Sequence, residues 1–131
     1  MATRGGRAIA EGRGIAAARL RAIMIDIRAH LGDGDLSVAE VAQRQRMTPR
    51  YVHKLFEKEG FTFSSFVRDQ RLVCAHRMLS DPRLADRTIG SIAFDAGFGD
   101  LSYFNRTFRQ RYGATPGEIR HSTLKPDHPR R

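Results

Sequence analysis

The stretches TPRYVHKLFEKEG, residues 48–60, and DLSYFNRTFRQRYG, residues 100–113, share one plan. Each opens on a residue able to cap a helix, Thr48 or Asp100, and closes on a glycine, Gly60 or Gly113. Each sets a tyrosine three positions past the cap (Tyr51, Tyr103) and a phenylalanine eight past it (Phe56, Phe108). A helix this short does not hold itself together in water and needs a partner over its apolar face. A chain carrying such a helix twice must supply two clamps, and no other feature constrains its fold as tightly.

The clamps stand immediately upstream of each copy. In SVAEVAQRQ, Ser37 and Glu40 form a capping box, which predicts a helix over 38–44 with Val38, Val41 and Ala42 on its inner face. The following helix, 49–58, has Pro49 at its first position, where a missing amide proton costs nothing, and buries Val52, Leu55 and Phe56. In the second copy Thr88 caps a helix over 89–96 containing Ile89, Ile92 and Ala93. AGFGD then turns the chain, and the helix 101–111 buries Phe104 and Phe108, with Tyr112 just beyond. Helix, tight turn and second capped helix make a helix-turn-helix layout, present twice.

Between the copies, FSSFVRDQRLVCAHRMLSDP reads as one helix, 63–80, with Phe66, Leu72, Ala75 and Leu79 apolar and Asp81-Pro82 as its stop. Upstream, Leu20, Ile23, Ile27 and Leu31 recur at helical spacing until GDGD ends the pattern. Downstream, Thr115, Pro116 and Glu118 open a short last helix. No period-two run bounded by hairpin turns occurs, so the expected fold is all-α. Two helix-turn-helix subdomains, 15–62 and 81–121, are joined by a long linker helix, 63–80. Residues 1–14 are read as a flexible arm or linker remnant and 122–131 as a flexible tail.

Charge narrows the partner. The 131-residue chain carries +9 with a pI near 10.9, and lysine occurs only at Lys54, Lys58 and Lys125, so arginine supplies nearly all of the positive charge. Guanidinium groups match phosphate oxygens and base edges with a rigid planar fork, so a polyanion is the expected partner. The single cysteine, Cys74, excludes an intrachain disulfide and lies among apolar residues as a core position. The five histidines, His30, His53, His76, His121 and His128, are scattered, and no nucleophile–base arrangement stands out. No metal, no cofactor and no enzymatic activity are expected. No apolar run approaches the ~20 residues of a membrane span, and no secretory signal is apparent, so the expectation is a cytoplasmic protein without a membrane partner.

With Val52, Leu55 and Phe56 turned inward, helical geometry turns Arg50, His53, Lys54 and Glu57 outward. With Phe104 and Phe108 inward, Ser102, Asn105, Arg106 and Arg109 face out. Arg and Lys match guanine edges, Asn matches adenine, and Ser matches either. Any one such face is what solubility alone would produce. Two, each behind a turn and a cap, favour a reader of DNA. The linker helix would run ~26 Å at 1.5 Å per residue, and recognition helices held near its ends could approach the ~34 Å of one duplex turn.

The second copy, IGSIAFDAGFGDLSYFNRTFRQRYGATPGEIR, resembles the signature of the AraC/XylS transcription regulators: Ile-Ala, Gly-Phe, Asp-x-Ser-Tyr-Phe, Arg-x-Phe, Gly, and Thr-Pro before a final Arg. The first copy, LSVAEVAQRQRMTPRYVHKLFEKEG, is similar to that family's more variable first unit, and the resemblance spans about 17–120. It implies two helix-turn-helix units bridged by a long helix. The implied function is sequence-specific binding to double-stranded promoter DNA, with transcriptional activation through RNA polymerase in the bacterial cytoplasm and nucleoid. Carried over by motif position, the DNA-binding residues are Arg50, His53 and Lys54 in the first unit and Leu101, Ser102, Asn105 and Arg106 in the second. The arginine at the Arg106 position is often structural or phosphate-directed in the family.

Two features depart from that pattern. The first turn carries Arg46 where the family commonly has glycine, which implies a strain of about 1 kcal/mol if the left-handed geometry is kept. Many members also carry an effector-binding or dimerising domain before this region. The chain is accordingly read as the DNA-binding half of a larger regulator or as a small stand-alone member, with homodimerisation through a region absent from this chain. Two other classes remain open on the residues alone: a nonspecific nucleic-acid binder, and a helical module docking on an acidic protein or membrane.

Overall fold

The computed structural model describes residues 4–124, with side chains from Glu11 onward. Its helices are α1 (Arg4–Ala29), α2 (Val38–Arg44), α3 (Pro49–Lys58), α4 (Phe63–Leu79), α5 (Ile89–Asp95), α6 (Leu101–Tyr112) and α7 (Pro116–Leu124), with a single 3-10 turn at Pro82–Leu84. There is no strand among the described residues. The fold is all-α with two helix-turn-helix units, as the sequence implies.

Two compact units divide the chain: residues up to His30 with Asp35–Val67, and Leu31–Gly34 with the residues from Arg68 on. In the first unit α1, α2 and α3 pack on one another. Leu20, Ile23 and Ile27 meet Val41, Ala42, Val52, Leu55 and Phe56 there, all buried. The opening turns of α4 close this core with Phe63 and Phe66, whose rings lie 6.0 and 5.4 Å from that of Phe56. A buried Val, Leu or Phe contributes about 1.5–3 kcal/mol, so this core is what keeps two helices as short as α2 and α3 formed.

The second unit is built on a file of aromatic rings. Phe98, Phe104, Phe108 and Tyr112 follow one another at centroid spacings of 4.9, 5.5 and 4.7 Å. Leu72, Ala75 and Leu79 of α4 and Ile92, Ala93 and Ala96 around α5 surround them, with Cys74 packed at the edge. The short segment Leu31–Gly34 is held here by Arg71, whose Nε donates to the Leu31 carbonyl at 3.0 Å and whose second nitrogen donates to the Asp33 carbonyl at 2.7 Å. Burial lowers the pKa of the Arg71 guanidinium from its usual value, and Asp33 pulls partly the other way.

The predicted caps form. Thr48 accepts from the Tyr51 amide, Thr88 from Ser91, and Asp100 from Tyr103. At α7 the box is reciprocal: Thr115 accepts from the Glu118 amide while Glu118 accepts from the Thr115 amide. At α2 only the Ser37 half forms, and the Glu40 carboxylate instead lies 3.8 Å from Arg44. A box that the sequence does not announce, between Thr62 and Ser65, starts α4.

The chain's ends differ from expectation. Helix α1 opens at Arg4, well before Ile15, so residues 4–14 are helical where an arm was expected. Alanine and arginine favour helix, but Glu11–Gly14 bury nothing, and without a packed face there is no apolar period to read. At the other end α7 runs to Leu124, past the expected start of the tail at 122. Residues 1–3 and 125–131, on which the arm and tail expectations also fall, lie outside the described residues.

Candidate nucleic-acid interface

The second helix of each helix-turn-helix unit is aimed by the turn before it, and the two turns are the same motif. After α2, Arg46 donates its amide to the Gln43 carbonyl at 3.2 Å and Met47 to Ala42 at 2.8 Å. After α5, Gly97 donates to Phe94 at 2.9 Å and Phe98 to Ala93 at 2.9 Å. This paired closure of a helix end requires a left-handed residue at its centre. Gly97 has φ 106° and Arg46 has φ 56°, the one non-glycine with positive φ among the described residues. The substitution of arginine for glycine in the first turn therefore keeps the geometry and strains one residue.

In the first unit a buried carboxylate locks the last turn of α2 to α1. Asp26 accepts from Arg44 Nε at 3.0 Å, from a terminal Arg44 nitrogen at 2.6 Å, and from Gln45 Nε2 at 2.8 Å. His30 Nδ1 lies 3.3 Å away. Burial pushes the Asp26 carboxyl up, but the hydrogen bonds from Arg44 and Gln45, with the charges of Arg44 and His30, outweigh it and hold the group below the ordinary aspartate value. The clamp ends one residue before Arg46, so it fixes where the turn begins.

On α3, Arg50, His53 and Lys54 are exposed, opposite the fully buried Val52 and Phe56. Among the described residues none of these three side chains makes a hydrogen bond or ion pair within the chain. Tyr51, beside them, carries the Arg19 guanidinium 5.5 Å from its ring centre.

On α6, Leu101, Ser102, Asn105 and Arg106 are exposed, opposite Phe104 and Phe108. Ser102, Asn105 and Arg106 line one open cavity of about 870 Å³, together with Arg109, Gln110 and the start of α7 at Thr115–Gly117. Leu101 lies outside that lining, half-exposed and facing Gly90 at the start of α5. Arg106 rests its guanidinium 5.8 Å from the Tyr103 ring. The motif positions alone did not bring in Gln110 or the wall from α7, although the capped Thr115-Pro116 start was a readable sign that a helix begins there. Arg109 was readable as outward-facing from helical spacing.

The two sites are alike chemically: exposed donors and acceptors on a rigid helix, with an aromatic core behind and a capped N-terminus. Such faces present hydrogen-bonding groups without first having to break bonds within the protein. No group of three or more His, Cys, Asp or Glu able to hold a metal occurs among the described residues. No described helix is long and apolar enough to cross a membrane.

A family model described as a helix-turn-helix domain matches residues 41–122, more than half of the chain. The chain belongs to the AraC/XylS family of helix-turn-helix transcription regulators. The matched region is accordingly a helix-turn-helix domain of the kind these DNA-binding regulators carry. Among AraC/XylS relatives, the transcriptional activator RhrA of Rhizobium meliloti (strain 1021) is 42% identical over 102 residues, covering 78% of this chain and 32% of that protein. The arabinose operon regulatory protein of Escherichia coli (strain K12) is 35% identical over 103 residues, covering 78% of this chain and 34% of that protein. The chain thus spans about a third of the length of these relatives. In fold it is similar to an AraC-type regulator from Chromobacterium violaceum, with TM-score 0.76 at 23% identity over 87% of this chain and 99% of that one. A probable AraC family regulator from Rhodopseudomonas palustris CGA009 gives TM-score 0.72 at 24% identity, over 81% and 97%.

Proposed function

We propose that the chain reads promoter DNA by inserting α3 and α6 into successive major grooves. Arg50, His53 and Lys54 serve the first groove and Ser102, Asn105 and Arg106 the second, with Leu101 at the edge against a thymine methyl. The observation that carries this reading is the pair of exposed polar sets, each on a capped helix whose opposite face is buried in its own unit's core. Asn105 is the direct base reader of α6. Arg106, drawn over Tyr103, is better placed for a phosphate than for a base edge.

Selection of bound sequences from random duplexes tests the reading. The expected outcome is two conserved blocks, with Asn105→Ala relaxing one block and Arg50→Ala or Lys54→Ala weakening the other. Inserting about 5 base pairs between the blocks, half a duplex turn, should abolish joint binding. Equal affinity for every duplex would leave only charge attraction and sink the proposal. Similarity to the transcriptional activator RhrA and to the arabinose operon regulatory protein supports transcriptional regulation, and the former supports activation. Contact with RNA polymerase and dimerisation through a further region complete the proposal. A reporter driven by the selected site should rise on expression of the chain joined to such a region, and unchanged or falling output would remove activation from the reading.

A further inference from the structure

Helix α1 has two apolar faces, and the core uses one. Leu20, Ile23 and Ile27 point inward. On the opposite side Ile15, Ala18, Ala22 and Ile25 recur at alternating spacings of three and four, the period of a helix–helix seam. Ile15 is 55% and Ile25 58% exposed, among the most exposed large apolar side chains of the chain. Solubility does not call for this stripe, and the first unit's own core does not cover it.

The borders of the stripe are basic. At 100° per residue Arg21 and Arg28 fall along one edge and Arg19 along the other, the Arg28 guanidinium lying 5.8 Å from the Phe66 ring and that of Arg19 5.5 Å from Tyr51. The described part of α1 contains two carboxylates. Glu11 stands at the N-terminal end of the stripe, and Asp26 is buried and neutralised by Arg44. A second copy of this chain would bring arginine against arginine along such a seam. DNA would match the basic border but leave the isoleucines in water. Only a partner apolar at the centre and acidic at the margins satisfies both features. We infer that this face of α1 docks an acidic amphipathic helix of a separate protein, with its apolar residues over Ala18 and Ala22 and its carboxylates toward Arg21.

The test uses the full chain and a labelled synthetic helix with leucine at the seam positions and glutamate flanking them. Fluorescence anisotropy should show saturable binding that weakens about tenfold or more with Ile25→Asp or Ile15→Asp, and with Arg21→Glu. Affinity should also fall with added salt, because the border charges are exposed. Because Ile15 and Ile25 are exposed, circular dichroism should report unchanged helix content and melting in both isoleucine variants. Their affinity for the selected DNA duplex should also stay within about twofold. A peptide of the same composition with its apolar residues scrambled should bind at least tenfold more weakly. Equal binding of the scrambled peptide would overturn the inference. So would indifference to both isoleucine substitutions, self-association through the same residues in sedimentation, or loss of DNA affinity when they are changed.

Discussion

Replacing Gly97 by alanine should cost far more than its single methyl suggests. The residue sits at φ 106°, where a side chain costs about 1–3 kcal/mol. A Cβ there would also run into the Leu31 carbonyl oxygen and into Nε and Cδ of Arg71. These are the groups that tie Leu31–Gly34 to α4, so relief of the clash breaks the Arg71 bonds to the Leu31 and Asp33 carbonyls. Hydrogen bonds of a charged donor are worth about 1.5–3 kcal/mol each net of water, so the strain plus the loss of even one of them should reach roughly 3–5 kcal/mol. In urea, with a slope of about 2 kcal/mol per molar, the midpoint of the second unit should drop by roughly 2 M. Gly99→Ala is the control, since nothing lies within 4 Å of its added carbon and its φ is not positive. Arg46→Gly is the mirror experiment. It relieves about 1–2 kcal/mol of left-handed strain while glycine's freedom in the unfolded chain takes back about 0.5–1, for a net gain near 0.5–1 kcal/mol. Amide exchange on α5 and α6, alongside the urea curves, assigns each loss to its unit. A Gly97→Ala chain within about 1 kcal/mol of Gly99→Ala would refute the reasoning.

Further outcomes follow from the cores and the candidate DNA faces. Phe104→Ala should destabilise the second unit by about 3–5 kcal/mol, measured by urea denaturation, because its ring is fully buried between Phe98 and Phe108. Asp26 is held below its ordinary pKa of about 3.9, so its contribution is complete above that value and is lost as pH falls through the lower folded value. Acid titration of the wild type and Asp26→Asn should therefore show the variant's stability varying less below pH ~4, and parallel curves would remove Asp26 from the acid response. Asn105→Ala should cost about 1–3 kcal/mol at one base pair of the selected site and little elsewhere, read by competition with single-base variants of the duplex.

Much of the architecture was legible because it is local. Thr48, Thr88, Asp100 and Thr115 bond within three residues, and the periods of Val52, Leu55 and Phe56 and of Phe104 and Phe108 announce their buried faces. Arg46 stood out only through the family resemblance, as a residue where glycine is common, and its left-handed φ came from the structure. Contacts between distant positions were not legible. Asp26 meets Arg44 across 18 positions and Arg71 meets Leu31 across 40, and no spacing rule links such pairs. Leu101 came only from the family motif, whereas the outward direction of Arg50, His53, Lys54, Ser102, Asn105 and Arg106 followed from helical period. The cavity at Ser102, Asn105 and Arg106 did not, since α7 supplies part of its wall.

The aromatic file in the second unit has a practical side. With no tryptophan and three tyrosines in this sequence, its emission excited at tyrosine wavelengths comes from Tyr51, Tyr103 and Tyr112. One sits on α3, one at the head of α6, and one at the file's end, 4.5 Å from the imidazole of His76. Exchanging any two for phenylalanine leaves a single native fluorophore whose signal belongs to one known spot. The molecule can thus be watched at α3 or at either end of α6 without attaching a dye.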